Sequence, residues 1–253
     1  MVQREELEQF LNEYLNSDKI NDYSLNGLQV EGKNEIENII TGVSANLSLI
    51  NTAIEKNADA ILVHHGLLWT KMDFRLKGVY KNRITKLLEH NINLFAYHLP
   101  LDLHPEVGNN ISLIKMLPYE NIKSFGNYNG IDIGYQCNLQ KLLSLGEISD
   151  IYKKNLDNNP IVVYDFGPEK IETVGIISGG APELVNEAIN KKLNLYITGE
   201  VTEYVQELCR EAKINYIALG HYASEKFGVI NLSKKIKQQY QCSIEFVDIK
   251  NKF

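Results

Sequence analysis

Cysteine is scarce in this chain. Cys137, Cys209 and Cys242 are the three present, and none stands in a C-x-x-C spacing, so neither a thiolate zinc knuckle nor a disulfide framework is indicated and buried thiols are expected. A surplus of positive charge is also missing. The formal net charge is -6, which argues against a broad basic face and disfavours nucleic acid as main partner. No apolar run approaches the roughly 20 residues of a membrane helix, and Met1 to Glu8 is polar rather than a basic stub followed by an apolar stretch. A cytoplasmic protein with no membrane partner is the expectation. Neither G-x-G-x-x-G nor G-x-x-x-x-G-K occurs, so no phosphate loop of those types is encoded.

What is present is the composition of a soluble globular enzyme: 44% hydrophobic and 23% charged residues over 253 positions, enough for one large domain or two small ones. Leu7, Phe10, Leu11, Tyr14 and Leu15 recur at helical spacing and predict an amphipathic helix over Arg4 to Leu15. Strands are expected at Asn38 to Val43, Ala60 to Val63 and Asn93 to Tyr97, with helices at Leu47 to Asn57, Arg83 to His90 and Asn109 to Leu117. The later half repeats the theme. Strands at Val174 to Ser178, Leu195 to Thr198 and Tyr216 to Leu219 alternate with helices at Pro182 to Lys191, Thr202 to Ala212 and about Tyr222 to Gln239.

The chain also resembles itself. Asn51-Thr-Ala-Ile54 before Ala60-Ile-Leu-Val63 aligns with Asn186-Glu-Ala-Ile189 before Leu195-Tyr-Ile-Thr198 at an offset of roughly 135 residues. Convergent strand-helix-strand composition is the alternative; duplication is the reading favoured here. The expected fold class is α/β, built from duplicated, intertwined α/β units with mixed, largely parallel sheets. Residues 1–125 form the first repeat in this reading, and 126–253 carry connecting strands and the second.

Imidazoles and carboxylates gather where the predicted strands stop. His64-His65-Gly66 follows one apolar run, His98-Leu-Pro-Leu-Asp102 another, Glu200 a third, and His221-Tyr-Ala-Ser-Glu225 a fourth. Ligands of α/β sheets bind beyond the carboxyl ends of parallel strands, so these residues occupy the right loops to converge. Imidazole nitrogen with carboxylate oxygen suits zinc, iron, manganese or nickel better than calcium. His221 and Glu225 lie one turn apart on a predicted helix and can reach a single point.

Bland alternatives accompany each. His64 and His65 are neighbours that can diverge; His98 is a ligand or a hydrogen-bonded residue behind one; Glu200 is a general base, a carboxylate supporting a ligand, or solvated surface. His90 and His104 read as structural or surface residues, and Trp69 as a packing residue or pocket wall rather than a stacking platform. Ser178-Gly-Gly-Ala181 before Pro182 offers a phosphate cradle or simply a tight turn.

At these residues the chain resembles a known family. H-H-G-L-L-W at His64, A-Y-H-L-P-L-D at Ala96 followed by G-N-N at Gly108, Y-I-T-G-E at Tyr196, G-H-Y-A-S-E at Gly220 and N-G-L-Q-V-E-G at Asn26 resemble signature segments of the GTP cyclohydrolase 1 type 2 homologues, the Nif-three-like family. The resemblance implies a two-lobed fold assembled as a toroidal homohexamer with two divalent metal ions per subunit. It implies that His65 and Asp102 bind one metal, that His64 and His221 bind the other, and that Glu225 bridges them. His98 matches the family's histidine in the same segment, and it and Glu200, placed at a strand end, are the catalytic candidates. Members with a large domain inserted between the halves exist, and this chain lacks one.

The function expected is metal-dependent hydrolysis of a small molecule. The family name suggests a nucleotide, GTP, opened by water to formate and 7,8-dihydroneopterin triphosphate. A dinuclear phosphoesterase and a non-catalytic metal-binding ring serving as scaffold or regulatory partner are the rival readings, because fold does not fix chemistry.

Overall fold

The first helix runs from Arg4 to Leu15, the range its periodicity predicts, and buries Leu7, Leu11 and Leu15 on one stripe. The computed structural model describes residues 1–251. From the amino end the elements are β1 (Val2–Gln3), α1 (Arg4–Leu15), β2 (Gly27–Val30), β3 (Glu35–Ile36), β4 (Asn38–Ser44), α2 (Leu47–Glu55), β5 (Ala60–His65), α3 (Gly78–Glu89), β6 (Asn93–Ala96) and α4 (Leu99–Leu103). They continue with α5 (Asn109–Ile114), β7 (Tyr119–Tyr128), β8 (Ile131–Leu143), α6 (Leu145–Asn155), β9 (Val162–Tyr164) and β10 (Ile171–Ile176). The rest are α7 (Val185–Asn190), β11 (Leu195–Thr198), α8 (Glu203–Ala212), β12 (Asn215–Ala218), α9 (His221–Gln239) and β13 (Ser243–Phe246).

The chain divides into two compact units, one formed by Met1–Leu101 with Lys226–Lys250 and the other by Asp102–Glu225. In the first, five strands pair in the order β13-β4-β5-β6-β2, the first four parallel and β2 antiparallel at the edge. The central strands read as continuous apolar runs, as strands covered on both faces do. Ile40, Leu49, Ile50, Ala53, Ile61, Val63 and Leu94 form the centre of this unit's core. The Asn46 side chain caps α2 by accepting from the Leu49 N–H at 2.9 Å, which holds that helix against the sheet.

In the second unit the order is β7-β8-β10-β11-β12-β9. Here β10, β11 and β12 are parallel, and β8 and β9 flank them antiparallel. The β7–β8 hairpin turns through Asn129 and Gly130, both with positive φ, which suits a two-residue loop matching the twist of the strands. The two sheets share a pattern of pairing. Three parallel strands followed by an antiparallel edge, β4-β5-β6 with β2, recur as β10-β11-β12 with β9.

Several boundaries differ from the sequence expectation. Strand β5 continues through His65 because Ser44 of β4 pairs opposite it. Helix α3 starts earlier, at Gly78, and α9 begins at His221 itself. The helix expected over Pro182 to Lys191 is a 3-10 turn at Pro182–Leu184 followed by α7. Cys137 and Cys209 are buried, but Cys242 is partly exposed because it ends the turn before edge strand β13. No helix among the described residues is long and apolar enough to cross a membrane.

Candidate metal centre

In the first unit the carboxyl ends of β5 and β6 bring three imidazoles together. A ring nitrogen from each of His64, His65 and His98 lies within 4.8 Å of the others. Successive residues of an ideal strand face opposite ways, yet the His64 and His65 ring centroids are only 4.6 Å apart where β5 ends. His64 is fully buried, and its Nδ1 lies 3.0 Å from the Tyr97 carbonyl oxygen. A carbonyl only accepts, so Nδ1 carries the proton and Nε2 keeps the lone pair a metal needs. The His65 Nδ1 stands 3.1 Å from Ser44 Oγ, its partner across the β4–β5 ladder.

His98 is the most tightly fixed of the three. Its Nδ1 lies 2.9 Å from Asp22 Oδ1, its backbone N–H donates to Asn26 Oδ1 at 2.8 Å, and the next N–H, of Leu99, donates to Asp22 Oδ2 at 2.9 Å. Burial alone raises the Asp22 pKa, but the hydrogen bond and charge of His98, together with the Asn26 and Ser24 hydrogen bonds, outweigh it and hold the carboxyl down at about 2. Asp22 accordingly stays ionised and keeps the His98 Nδ1 proton in place. Tyr23 and Trp69 stand beside these rings, stacked on each other at 5.4 Å, with Trp69 5.3 Å and Tyr23 4.9 Å from His98.

The second unit carries the carboxylates. Asp102 is buried, and its Oδ1 accepts from Asn109 Nδ2 at 2.8 Å and from Ser178 Oγ at 3.1 Å. Asn110, the other asparagine of the G-N-N segment, donates to the Asp102 and Ile133 carbonyls and accepts the Ser178 N–H at 2.6 Å. These two asparagines thus hold the Asp102 segment against the loop after β10. The loop itself is Ser178-Gly-Gly-Ala181, considered above as a phosphate cradle. Here it packs on Glu225 and Glu200. Gly179 has φ +66, its N–H donates to Ser224 Oγ at 2.9 Å, and a Cβ on it would collide with Glu225 Oε1.

His221 opens α9 and lies between two carboxylates. Its Nδ1 is 2.6 Å from Glu200 Oε1, and its Nε2 is 3.0 Å from Glu225 Oε2 one turn along the helix. Desolvation lowers the imidazole pKa, but the Glu225 and Glu200 hydrogen bonds and charges together push it up to about 9. Glu225 is buried, whereas Glu200 is half exposed and has its carbonyl fixed by the Tyr216 hydroxyl at 2.6 Å.

Within the first unit, then, the structure brings His64, His65 and His98 together. Within the second it brings His221, Glu200 and Glu225 together and fixes Asp102 on Asn109 and Ser178. His90 is exposed at the end of α3, and the buried His104 uses Nδ1 to accept the Glu106 and Val107 N–H groups. Asp22 and Ser44 are neighbours of the site that spacing did not single out, since each meets its histidine across the fold, and Ser178, considered above as part of a phosphate cradle, instead donates to Asp102. The donor sets are imidazole and carboxylate with buried, hydrogen-bonded ligating groups, a chemistry that fits a borderline divalent cation.

The chain is similar to known proteins along nearly its whole length. A protein of Haemophilus influenzae named GTP cyclohydrolase 1 type 2 homolog is 42% identical over 246 residues, 97% of this chain and 98% of its own. A solved structure of protein ybgI, described as of unknown function, superposes with a TM-score of 0.94 at 34% identity and full coverage of both chains. TTHA1606 from Thermus thermophilus superposes at 0.89 with 32% identity over 99% of each chain. The model of the Duf34/NIF3 (NGG1p interacting factor 3) family matches residues 2–252, and the chain belongs to that family.

Proposed function

We propose that this protein is a metal-dependent hydrolase whose donor sets close on a pair of divalent ions. His65 and Asp102 hold one ion in this reading, His64 and His221 the other, and Glu225 bridges. The observation that carries it is the buried, pre-oriented chemistry of the donors: His64 with its Nδ1 proton on a carbonyl and Glu225 cradled where only glycine fits. The chain passes between its compact units at Leu101–Asp102 and at Glu225–Lys226. Two of the assigned ligands, Asp102 and Glu225, therefore stand at those crossings.

A pair of ions supplies hydroxide near neutral pH and polarises the electrophile, whichever electrophile that is. The chain's own residues do the rest. Asp22 holds the His98 Nδ1 proton, which fixes the ring and makes Nε2 the nitrogen that would face the reacting groups. Glu200 holds the His221 Nδ1 proton, so Nε2 is the nitrogen offered to an ion. Five ligands for two ions leave positions for water and substrate, which favours catalysis over a closed structural site. The homologue name supports GTP as the first substrate to try. Metal-replete protein should release formate from GTP and stop when chelated. If it releases none while hydrolysing another substrate, the cyclohydrolase assignment is wrong and the hydrolase class stands.

A second reading has an observation of its own. His64, His65 and His98 alone can hold one ion, a three-imidazole site that does not require the carboxylates. Assembly as a hexamer is part of the first reading and draws support from exposed apolar side chains at Phe74, Leu76 and Val79. Light scattering should give six chains; a monomer at micromolar concentration contradicts it. The free cysteines fit a reducing cytoplasm.

A further inference from the structure

The segment N-G-L-Q-V-E-G at Asn26 contributes no metal ligand in the reading above, yet one of its side chains reaches the site. Strand β2 pairs with β6 through Leu28 opposite Phe95 and Val30 opposite Leu94, so Gln29 is the extra residue of a bulge at the sheet edge. A bulge interrupts the alternation of side chains along a strand and re-aims the residue it inserts. Here it delivers the Gln29 carboxamide to the loop that leaves β5. Oε1 accepts the Leu67 and Leu68 N–H groups at 2.7 and 3.0 Å, while Nε2 donates to the Leu25 carbonyl at 2.7 Å and the Leu68 carbonyl at 3.2 Å. Leu67 is buried, and a buried N–H without an acceptor is costly, so the carboxamide completes this turn. Gly66 makes room for it: a Cβ there would collide with the Gln29 carboxamide and with Ala96.

What this loop decides is how β5 releases its last two side chains. In a regular strand His64 and His65 would face opposite sides, but their ring centroids lie 4.6 Å apart. Bonds to the Tyr97 carbonyl and to Ser44 Oγ set the rotation of each ring, and the His65 carbonyl accepts the Ala45 N–H at 2.8 Å. All three act from the strand side. On the exit side the hold is the Gln29 grip on Leu67 and Leu68, two and three residues past His65. A pair of ligands is only as well placed as the backbone that carries it, and displacement beyond about 0.5 Å degrades a site.

We infer that Gln29 is a positioning residue of the metal centre: the carboxamide delivered by the β2 bulge sets the turn after His65, and through it the convergence of the His64 and His65 imidazoles. This rests on the metal-dependent reading above. It also accounts for the glycine of H-H-G, which is the space the carboxamide occupies.

The test uses full-length protein freed of metal by chelation and titrated with cobalt(II), whose visible d–d absorption reports ligand geometry. Gln29→Met fills the same space without the hydrogen bonds, and Gln29→Ala removes both. Each should bind cobalt at least about tenfold more weakly than wild type and with an altered d–d band. Ile92→Ala is the control for general loss of stability, since Ile92 lies in the core of the same unit just before the amino end of β6, away from the carboxyl ends that carry the histidines. It should keep the wild-type affinity and band. Hydrogen exchange followed by mass spectrometry should show faster exchange at Leu67 and Leu68 in both Gln29 variants. Wild-type affinity and band in Gln29→Met would overturn the inference, whether or not exchange at Leu67 and Leu68 quickens. An equal loss in Ile92→Ala would overturn it as well. If wild type binds no cobalt, the metal-dependent reading fails, and crystal structures of the metal-free proteins decide this inference alone. In them the two rings should sit further apart in Gln29→Met than in wild type, and an unchanged separation overturns the positioning role.

Discussion

His221 Nε2 stands 3.0 Å from Glu225 Oε2 while its Nδ1 stands 2.6 Å from Glu200 Oε1, so the imidazole of the metal-free chain is an imidazolium between carboxylates. Its pKa is pushed up to about 9 from 6.5. A raised folded-state pKa stabilises fully below the unfolded value and loses that contribution as pH rises through the folded one. An ion at Nε2 must displace that proton. Metal binding between pH 7 and 9 should therefore release a proton and tighten up to about tenfold per pH unit. Calorimetric titration of apo-protein in buffers of different ionisation enthalpy reads the release directly; binding heats independent of buffer would contradict the assignment of His221.

Asp22 gives an acid-side counterpart. Its folded pKa is held at about 2, below the ordinary 3.8 of an aspartate, so its contribution is present above about pH 4 and disappears as pH falls through about 2. The side chain is 1% exposed, and the difference amounts to on the order of 2 kcal/mol. Asp22→Asn should lower the unfolding free energy at pH 7 by about that much and flatten the acid limb of the stability curve. Denaturant melts at a series of pH values would show it. An unchanged acid limb would mean the Asp22–His98 pair contributes nothing.

Gly179 links the loop after β10 to the site. With φ +66 and Glu225 Oε1 where a Cβ would sit, Gly179→Ala combines backbone strain of about 1–3 kcal/mol with displacement of a buried carboxylate. Metal affinity should fall while the far-ultraviolet spectrum stays native. Retention of wild-type affinity would show that Glu225 does not need this seat.

How much of this was legible beforehand depends on the distance over which the information acts. The run Ala60 to Val63 followed by two histidines announces a buried strand with ligands at its carboxyl end, and α1 follows from local spacing alone. By contrast, β13 is a short, alternating polar-apolar segment whose strand character comes from pairing Ser243–Phe246 with Asn38–Thr41 across most of the chain. No local pattern encodes that. Strand β7, polar along most of its length, is a strand because β8 pairs with it. Helix α6 did carry a local signal, the capping box of Ser144 and Glu147, which the intervening Gly146 obscured. In the site, His64, His65, Asp102, His221 and Glu225 could be nominated by residue type at strand ends. Asp22 could not, because its partner His98 is 76 positions away and an aspartate in a polar loop resembles any other.

The most direct test of the two-ion account is metal stoichiometry in Glu225→Ala, measured beside His98→Ala and His90→Ala. Two doubly charged ions about 3.5 Å apart repel by on the order of 20 kcal/mol even at an effective dielectric near 20, before ligands offset it. A bridging carboxylate is what makes the pair tolerable. Wild type, His98→Ala and His90→Ala should each hold two metals per chain, and Glu225→Ala one or none. Loss of metal in His98→Ala with none lost in Glu225→Ala would favour the three-imidazole site, and two tightly bound metals retained in Glu225→Ala would contradict the bridge.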